Sequence, residues 1–451
     1  MNTPICDFVK SYAEGDSLRL HMPGHKGEPL LGVEALDITE IEGADVLYSA
    51  KGIIAESEKN ASTLFGSGKT VYSTEGSSLS IRAMLYLALL WGKAQGREPV
   101  IFAVRNAHRV FHSAAALLDL RVEWLSGEND TLLSSSVTPE ILDTALSHTD
   151  RRPFAVYLTT PDYLGNTLDI KGLSKVAEKY GVLCIVDNAH GAYLNFLEIS
   201  RHPIHLGAHM CADSAHKTLP ALTGAGYLHI SKNAPSLLFD EVENAMALFA
   251  STSPSYLILQ SLDRVNKYLS DGYAQKLQTF CEKVESLKAE LTSHGYRAIG
   301  DEPLKLSIDA KAYGYMGEEL SATLSGKSIV CEHADRDTVV LMLTPEVGEG
   351  GLARLREALL SIEKREKINK KPPRLAPRRA VMSAREAIMS PKEKISAANS
   401  QGRVLADLSV SCPPAVPIVS CGEIIDENAV ELFRYYGIDT VSVVRELPSE
   451  T

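Results

Sequence analysis

The sequence lacks the features that mark membrane-spanning, disulfide-stapled and nucleic-acid-binding proteins. Nowhere in its 451 residues is there an apolar run of the roughly 18 residues that a membrane-spanning helix needs. The seven cysteines are scattered between Cys6 and Cys421 without a Cys-x-x-Cys pair, which argues against a disulfide framework and a structural zinc site. The net charge of −11 argues against general nucleic-acid binding.

The N-terminal residues also lack the basic-then-apolar order of a signal peptide, since Asp7 and Glu14 lie in a mixed sequence. What is present is the composition of a soluble globular protein, with 45% hydrophobic and 23% charged residues. We therefore expect a cytoplasmic protein with neither a membrane nor a nucleic acid as partner.

The order of apolar segments predicts an α/β fold. Between about residues 71 and 230, short β-branched runs alternate with longer amphipathic stretches, which is typical of a mainly parallel sheet covered by helices. The predicted strands are residues 100–104, 154–159, 182–187, 209–212 and 226–230, and the predicted helices are 78–95, 110–118, 139–147 and 171–180. Helical periodicity then runs to about residue 291, followed by strands near 304–308 and 338–343 and a helix ending near residue 371. These later elements predict a second, smaller α/β lobe.

Two residues in this pattern suggest pyridoxal phosphate chemistry. Asp187 ends the apolar run 182–186, and Lys217 closes the segment Ser214-Ala215-His216-Lys217. A lysine amine can form a Schiff base with the cofactor aldehyde, while an aspartate can keep the pyridine nitrogen protonated. A buried carboxylate also needs a partner, which a pyridinium would provide. Taken singly, the two residues would also suit a helix cap and a solvated loop lysine.

Residues 74–78 are a candidate phosphate site because they lie between a short strand and a long helix. Backbone N–H groups at a helix N-terminus, with the hydroxyls of Ser77 and Ser78, would bind a dianion, and Gly76 would permit close approach. The simpler interpretation is an ordinary N-cap. His108 directly follows the strand 100–104, where its ring could stack on a cofactor; alone, it would more often be a capping or surface residue.

Two other motifs are better explained without a ligand. Residues 66–70 contain Gly-Ser-Gly-Lys-Thr, but Thr63 replaces the first glycine of a nucleotide-binding loop and the order is helix, loop, strand. A plain turn is predicted there. The histidines at 21, 25, 202, 205 and 209 include i, i+4 pairs, yet no glutamate completes a zinc motif, and we predict no metal.

Several segments occur in one order from residue 20 to residue 217: Leu-His-Met-Pro-Gly-His-Lys-Gly at 20–27, residues 37–58, Gly-Ser-Ser at 76–78, Asn-Ala-His at 106–108, Thr-Pro-Asp-Tyr-Leu-Gly at 160–165, Asp-Asn-Ala-His at 187–190 and Ser-Ala-His-Lys at 214–217. Together they resemble the ornithine/lysine/arginine decarboxylase family of fold-type I pyridoxal phosphate enzymes. After Glu302 the likeness is looser.

The resemblance implies pyridoxal 5'-phosphate as cofactor and a role for each matching residue. Lys217 is similar to the Schiff-base lysine, Asp187 to the pyridinium partner and His108 to the ring-stacking residue. Ser77, Ser78, Ser214 and His216, with Gly76, would hold the phosphate, and His190 would contact the oxygen side of the ring. For the proton returned to Cα, Lys217 and His216 are both candidate donors.

The resemblance also implies an aspartate-aminotransferase-like large domain, a homodimer or higher homo-oligomer with active sites at the interface, and a short-form member without an extra N-terminal domain. We predict the following division: 1–66 an N-terminal arm with dimer contacts, 67–250 the large cofactor-binding domain, 251–363 the small α/β domain, 364–380 a basic, proline-rich linker and 381–451 a C-terminal subdomain.

The expected reaction is α-decarboxylation of arginine, lysine or ornithine to the amine and carbon dioxide, feeding polyamine metabolism, with a slight leaning to arginine. An aminotransferase or a carbon–sulfur lyase shares the same aspartate and lysine, and a non-catalytic relative of the fold is a further alternative. The chain departs from the family's pattern at Asn188, where glutamate is common, and at Asp162. Asp162, Glu332 and Glu349 are candidate acids for the distal end of a basic substrate.

Overall fold

The computed structural model describes residues 1–408, 410–412 and 416–446. Its helices are α1 Pro4–Glu14, α2 Ile53–Phe65, α3 Gly76–Ala94, α4 Arg109–Leu118, α5 Pro139–His148, α6 Ile170–Lys179, α7 Ala215–Thr218, α8 Ser236–Phe249, α9 Tyr256–Ser270, α10 Tyr273–His294, α11 Gly317–Gly326, α12 Gly348–Leu360, α13 Ala384–Met389 and α14 Glu427–Tyr436. Its strands are β1 Lys69–Ser73, β2 Val100–Val104, β3 Arg121–Leu125, β4 Ala155–Thr159, β5 Leu183–Asp187, β6 Met210–Asp213, β7 Gly226–Ile230, β8 Ala298–Ile299, β9 Lys305–Asp309, β10 His333–Ala334, β11 Thr338–Met342, β12 Lys392–Ser396, β13 Val410–Cys412, β14 Val416–Val419 and β15 Thr440–Val444.

The chain divides into two compact units, each made of two stretches of sequence. Unit one comprises Met1–Gly96 and Ile170–Gln278, and unit two comprises Arg97–Asp169 and Thr279–Thr451. The division into five segments, which is based on changes of composition and predicted elements along the sequence, stays a prediction. Parts of its last segment, residues 409, 413–415 and 447–451, lie outside the described residues.

Unit one contains strands in the order β1-β7-β6-β5. β5 and β6 are parallel, with Asp187 opposite Ala212, while β7 is antiparallel to both β6 and β1. Every residue of β5, β6 and β7 is buried. Because the carboxyl ends of parallel strands lie at one edge of a sheet, the residues after β5 and β6 are brought to the same edge.

Unit two contains β2 flanked by its parallel partners β3 and β4, and an antiparallel sheet in the order β10-β11-β9-β8. β9 and β11 are the strands predicted near residues 304–308 and 338–343. The helix predicted to end near residue 371 is wrong, since α12 ends at Leu360. Ile362 is the last buried apolar residue there, and residues 363–371 are exposed apart from half-buried Ile368, so no apolar face supports another turn.

The strands and helices predicted between residues 71 and 230 are present, with bounds that agree within one or two residues, whereas β3 and the short helix α7 were not predicted. The glycine-rich segment after α2 is the plain turn expected there, because Gly66 ends the helix in the left-handed region and β1 begins at Lys69. Where the long helical periodicity was predicted, α9 and α10 are separated at Gly272, which has a φ of 84°. Among the described residues no helix is both long and apolar enough to cross a membrane.

Candidate active site

Asp187 lies at the C-terminal end of β5, where it is 3% exposed. Its Oδ1 accepts a hydrogen bond of 3.1 Å from the backbone N–H of Ala189. The next residue, Asn188, donates its backbone N–H to the carbonyl oxygen of Ala212 in β6. The strand therefore delivers the carboxylate to the edge where β6 also ends, as the sequence predicts.

Lys217 lies on the short helix α7, which follows β6 after Ser214. The backbone N–H of Lys217 donates to the carbonyl oxygen of Ser214, and its Nζ lies 3.1 Å from Nε2 of His190. His190 comes from the turn after β5, so the two strand ends bring together the lysine and histidine that the sequence assigned to one site. At this distance the amine and the imidazole can form a hydrogen bond.

The start of α3 and the residue before α7 together form a hydroxyl-lined site. Ser214 Oγ donates to Ser77 Oγ over 2.8 Å, and Ser77 and Ser78 both lie in the first turn of α3. N–H groups in the first turn of a helix have no acceptor within the helix, so this end of α3 suits an anion. Gly76 has a φ of 64°, a backbone conformation that favours glycine, and its N–H donates to the carbonyl oxygen of Gly224.

His216 packs beside this site and has a defined tautomer. Its Nδ1 lies 2.8 Å from the carbonyl oxygen of Ala225, which only accepts, so Nδ1 carries the hydrogen. Burial, together with the positive charge of Lys217, lowers the pKa of His216. The ring is therefore neutral at pH 7, with Nε2 as an acceptor. Such a ring is a poor proton donor unless a bound anion raises its pKa.

A buried network around Asp213 supports this edge, and it is absent from the sequence prediction. Oδ1 of Asp213 accepts from Asn188 Nδ2 at 2.8 Å and from Cys211 Sγ at 3.2 Å. Oδ2 lies 2.9 Å from His202 Nε2 and 3.3 Å from His229 Nε2. Burial alone would raise the pKa of Asp213, but the two histidines outweigh it and lower that pKa. Asp213 ends an apolar strand as Asp187 does, a signal that could have found it.

Three of these side chains also form a possible metal-binding group. Ligand atoms of His202, Cys211 and Asp213 all lie within 4.8 Å of one another. However, Nδ1 of His202 accepts from the N–H of Ile204, which leaves the hydrogen on Nε2, and burial raises the pKa of the Cys211 thiol. The three residues therefore act as a hydrogen-bonded network in this state.

His108 and Asp162 belong to unit two. His108 follows β2 and is the N-cap of α4, where its Nδ1 accepts from the N–H of Val110 at 3.3 Å. This is the capping function that the sequence left open beside ring stacking. Asp162 is 3% exposed, and its Oδ1 accepts from the N–H groups of Leu164 and Asn166 at 2.9 Å each. Its carboxylate organises a turn and is not available to a substrate.

The other two candidate acids for a basic substrate are also in unit two. Glu332 accepts a hydrogen bond of 3.0 Å from the hydroxyl of Tyr163. Glu349 has an exposed side chain that pairs with Lys283. Glu349 therefore belongs to a surface ion pair. Glu332 is the candidate whose carboxylate lies beside an aromatic hydroxyl.

The residues of unit one fit pyridoxal 5'-phosphate by the chemistry of their donor sets. A primary amine, a buried carboxylate and a hydroxyl-lined helix end are the groups that the aldehyde, the pyridine nitrogen and the phosphate of this cofactor need. Lys217, Asp187 and the serine pair Ser77 and Ser214 supply them. The glycines at 76 and 226 keep the helix end close to the strands, since a Cβ on Gly226 would lie 2.8 Å from the carbonyl carbon of Gly76.

Comparison with known proteins gives consistent matches over nearly the whole chain. The family model described as Orn/Lys/Arg decarboxylase, major domain, matches residues 3–297. The chain is 30% identical to the uncharacterized protein YaaO of Bacillus subtilis and 28% identical to the arginine decarboxylase of the same organism, in each case over 96% of this chain and 93% of the relative. The lysine decarboxylase LdcF of Francisella novicida superposes with a TM-score of 0.81 at 14% identity, covering 98% of this chain and 81% of that one. The predicted fold class is confirmed.

Proposed function

The chain belongs to the Orn/Lys/Arg decarboxylase family, because the family model matches more than half of its length, and from this premise we propose that its substrate is arginine. Membership makes it a pyridoxal phosphate-dependent amino-acid decarboxylase, which decides against an aminotransferase or a carbon–sulfur lyase. The observation that carries the choice of arginine is the set of relatives named arginine decarboxylase, which align over almost the full chain at 27–28% identity. Lysine and ornithine are the other candidates.

Each site residue is proposed to have one task. Lys217 binds the cofactor aldehyde, and Asp187 keeps the proton on the pyridine nitrogen. Gly76, Ser77, Ser78, Ser214 and His216 hold the phosphate, His190 contacts the oxygen side of the ring, and His108 stacks on the ring. When bound, pyridoxal phosphate supplies an acceptor for the electron pair that the departing carboxylate leaves on Cα.

The proton that replaces the carboxylate on Cα needs a donor, and we favour Lys217 over His216. Nζ of Lys217 has a neighbouring imidazole at 3.1 Å, whereas the hydrogen of His216 points to the carbonyl oxygen of Ala225. Carbon dioxide leaves, one proton is transferred from Nζ to Cα, and the product is the amine. Production of the amine for polyamine synthesis in the cytoplasm is part of the same proposal.

The deciding experiment measures carbon dioxide and amine from arginine, lysine and ornithine with the cofactor-loaded protein. We expect arginine to give the highest kcat/KM. Lys217→Ala should lower kcat by at least roughly a thousandfold, because it removes both the cofactor link and the proton donor. Lys175→Ala, at an exposed position on α6, is the matched control and should keep wild-type activity. Absence of carbon dioxide from all three amino acids would contradict the proposal.

We also propose that the protein is a homodimer in which the N-terminal segment contacts a second subunit. Leu18, Leu20, Leu30 and Leu31 are each more than 80% exposed in the single chain, an arrangement that a partner surface would cover. Light scattering should give twice the chain mass of 49.0 kDa. Replacing both leucines at positions 30 and 31 by aspartate, Leu30→Asp with Leu31→Asp, should shift the measured mass toward that of the monomer. A monomeric wild-type protein at micromolar concentration would refute the dimer.

A further inference from the structure

Asn188 links the ends of β5 and β6. It is fully buried, its backbone N–H donates to the carbonyl oxygen of Ala212 at 3.0 Å, and its Nδ2 donates to Oδ1 of Asp213 at 2.8 Å. Both acceptors belong to β6. Two hydrogen bonds from one residue therefore fix the chain at the point where it leaves β5, immediately after Asp187.

The other side of Asn188 is enclosed as well. Its carbonyl oxygen accepts the N–H of Gly191 at 2.8 Å, and a Cβ on Gly191 would lie 2.0 Å from Oδ1 of Asn188. The side-chain amide thus lies between Asp213 and the backbone of Gly191. His190 lies within the turn that the Gly191–Asn188 backbone hydrogen bond closes, so the Asn188 side chain packs against the turn that carries His190.

The acceptor of the Asn188 amide is an anion. Asp213 is completely buried and faces the imidazoles of His202 and His229, which keep it ionised. A hydrogen bond to an ionised acceptor in a buried site is stronger than one between neutral groups. A carboxylate in place of the amide would instead put two negative charges within hydrogen-bond distance of each other.

We propose that Asn188 is a positioning residue, which holds Asp187 and His190 in place for the cofactor by donating a hydrogen bond to Asp213. The inference rests on the proposed function, because it is there that Asp187 and His190 contact the pyridine ring. Asn188 acts through these two neighbours, one before it and one after it in the same turn.

The test titrates the cofactor-free protein with pyridoxal 5'-phosphate and follows the absorbance of the bound cofactor. We expect Asn188→Asp to raise the Kd about tenfold relative to wild type at about pH 8, the effect of losing one hydrogen bond to a buried charge. At about pH 6 the ratio of the two Kd values should fall, because the new carboxylate and Asp213 then share a proton that restores a donor. A purely structural defect would give the same ratio at both pH values.

The groups that face Asp213 and Asn188 are His202, Cys211, Tyr227, His229 and the neighbouring Asp187. Burial lowers the pKa of His229 and raises those of Cys211 and Tyr227, so these three keep one charge state between the two pH values. Wild type carries the same five groups, so the ratio to wild type at each pH corrects for the titration that both proteins share.

Asn188→Ala is the second variant, and we expect it to raise the Kd about tenfold at both pH values, since it removes the donor without adding a charge. Asn233→Asp, at an exposed position of unit one, adds the same charge and should leave the Kd unchanged. Unchanged cofactor affinity in Asn188→Ala would overturn the inference, as would a pH-independent ratio in a folded Asn188→Asp. These readings need no substrate, so they are separate from a failure of the proposed decarboxylation.

Discussion

Asp213 in unit one and Asp162 in unit two are both buried carboxylates, one at the end of β6 and one three residues after β4, and their pKa values shift in opposite directions. At Asp213, burial raises the pKa, but the two histidines outweigh that effect and lower it. At Asp162, burial also raises the pKa, and the hydrogen bonds from Ser134 and Asn166 do not outweigh it. The ammonium of Lys305 donates to the backbone oxygen of Asp162, and the hydrogen-bond donors to the carboxylate among the described residues are neutral groups. Partners, more than burial, decide which carboxylate keeps its charge.

The largest expected effect is the loss of stability in Asp213→Asn. An amide at this position cannot accept from both histidines and from Asn188, so buried donors lose their acceptor. We expect the free energy of unfolding of the cofactor-free protein to fall by about 3–5 kcal/mol, because at least two buried donors lose an ionised acceptor and each such hydrogen bond is worth about 1.5–3 kcal/mol. Urea unfolding followed by circular dichroism measures it, with the exposed Asp240→Asn as control. A loss no greater than that of the control would show that the network contributes little.

The pH dependence of stability should differ in sign between the two sites. Asp213 has a lowered folded-state pKa, so its contribution is present above the unfolded-state pKa of about 3.9 and is lost as the pH falls through the folded-state value. Asp162 has a raised folded-state pKa, so its contribution is present below about pH 3.9 and is lost as the pH rises through the folded-state value. Unfolding of wild type, Asp213→Asn and Asp162→Asn between about pH 3 and pH 7 tests this. Parallel difference curves would remove the contrast between the sites.

The smallest expected effect is that of Asp162→Asn at neutral pH. The amide keeps Oδ1 as an acceptor for the N–H groups of Leu164 and Asn166 and removes a carboxylate that burial disfavours. We expect a change of about 1 kcal/mol or less in the free energy of unfolding. Thermal unfolding can rank this variant against Asp213→Asn. An equal or larger loss at Asp162 would show that the turn depends on the charge itself.

The sequence was enough to predict the residues that depend on strand ends. Asp187 and Lys217 follow apolar runs, and parallel strands bring such positions to one edge, so the nearness of Lys217 to His190 was predictable. The partners of Asp213 were not predictable. His202 comes from the segment between β5 and β6, and His229 lies on β7, the antiparallel neighbour of β6. The turn at Asp162 is local in sequence, because the donors Leu164 and Asn166 lie two and four residues after it. Of the partners of this carboxylate, Ser134 is the one that only the folded chain brings close.

The side chain of Gly226 is a single hydrogen atom, and this small size allows the hydroxyls of Ser77 and Ser214 to lie close together. Gly226 pairs with Ser73 across β1 and β7 and lies against Gly76, the first residue of α3. A methyl group there would meet the backbone carbon of Gly76 at 2.8 Å and the carbonyl oxygen of Asp213 at 3.1 Å. A residue larger than glycine at position 226 would therefore press on the backbone at the start of α3 and at the end of β6, and the 2.8 Å contact between the hydroxyls of Ser77 and Ser214 would be the first to change.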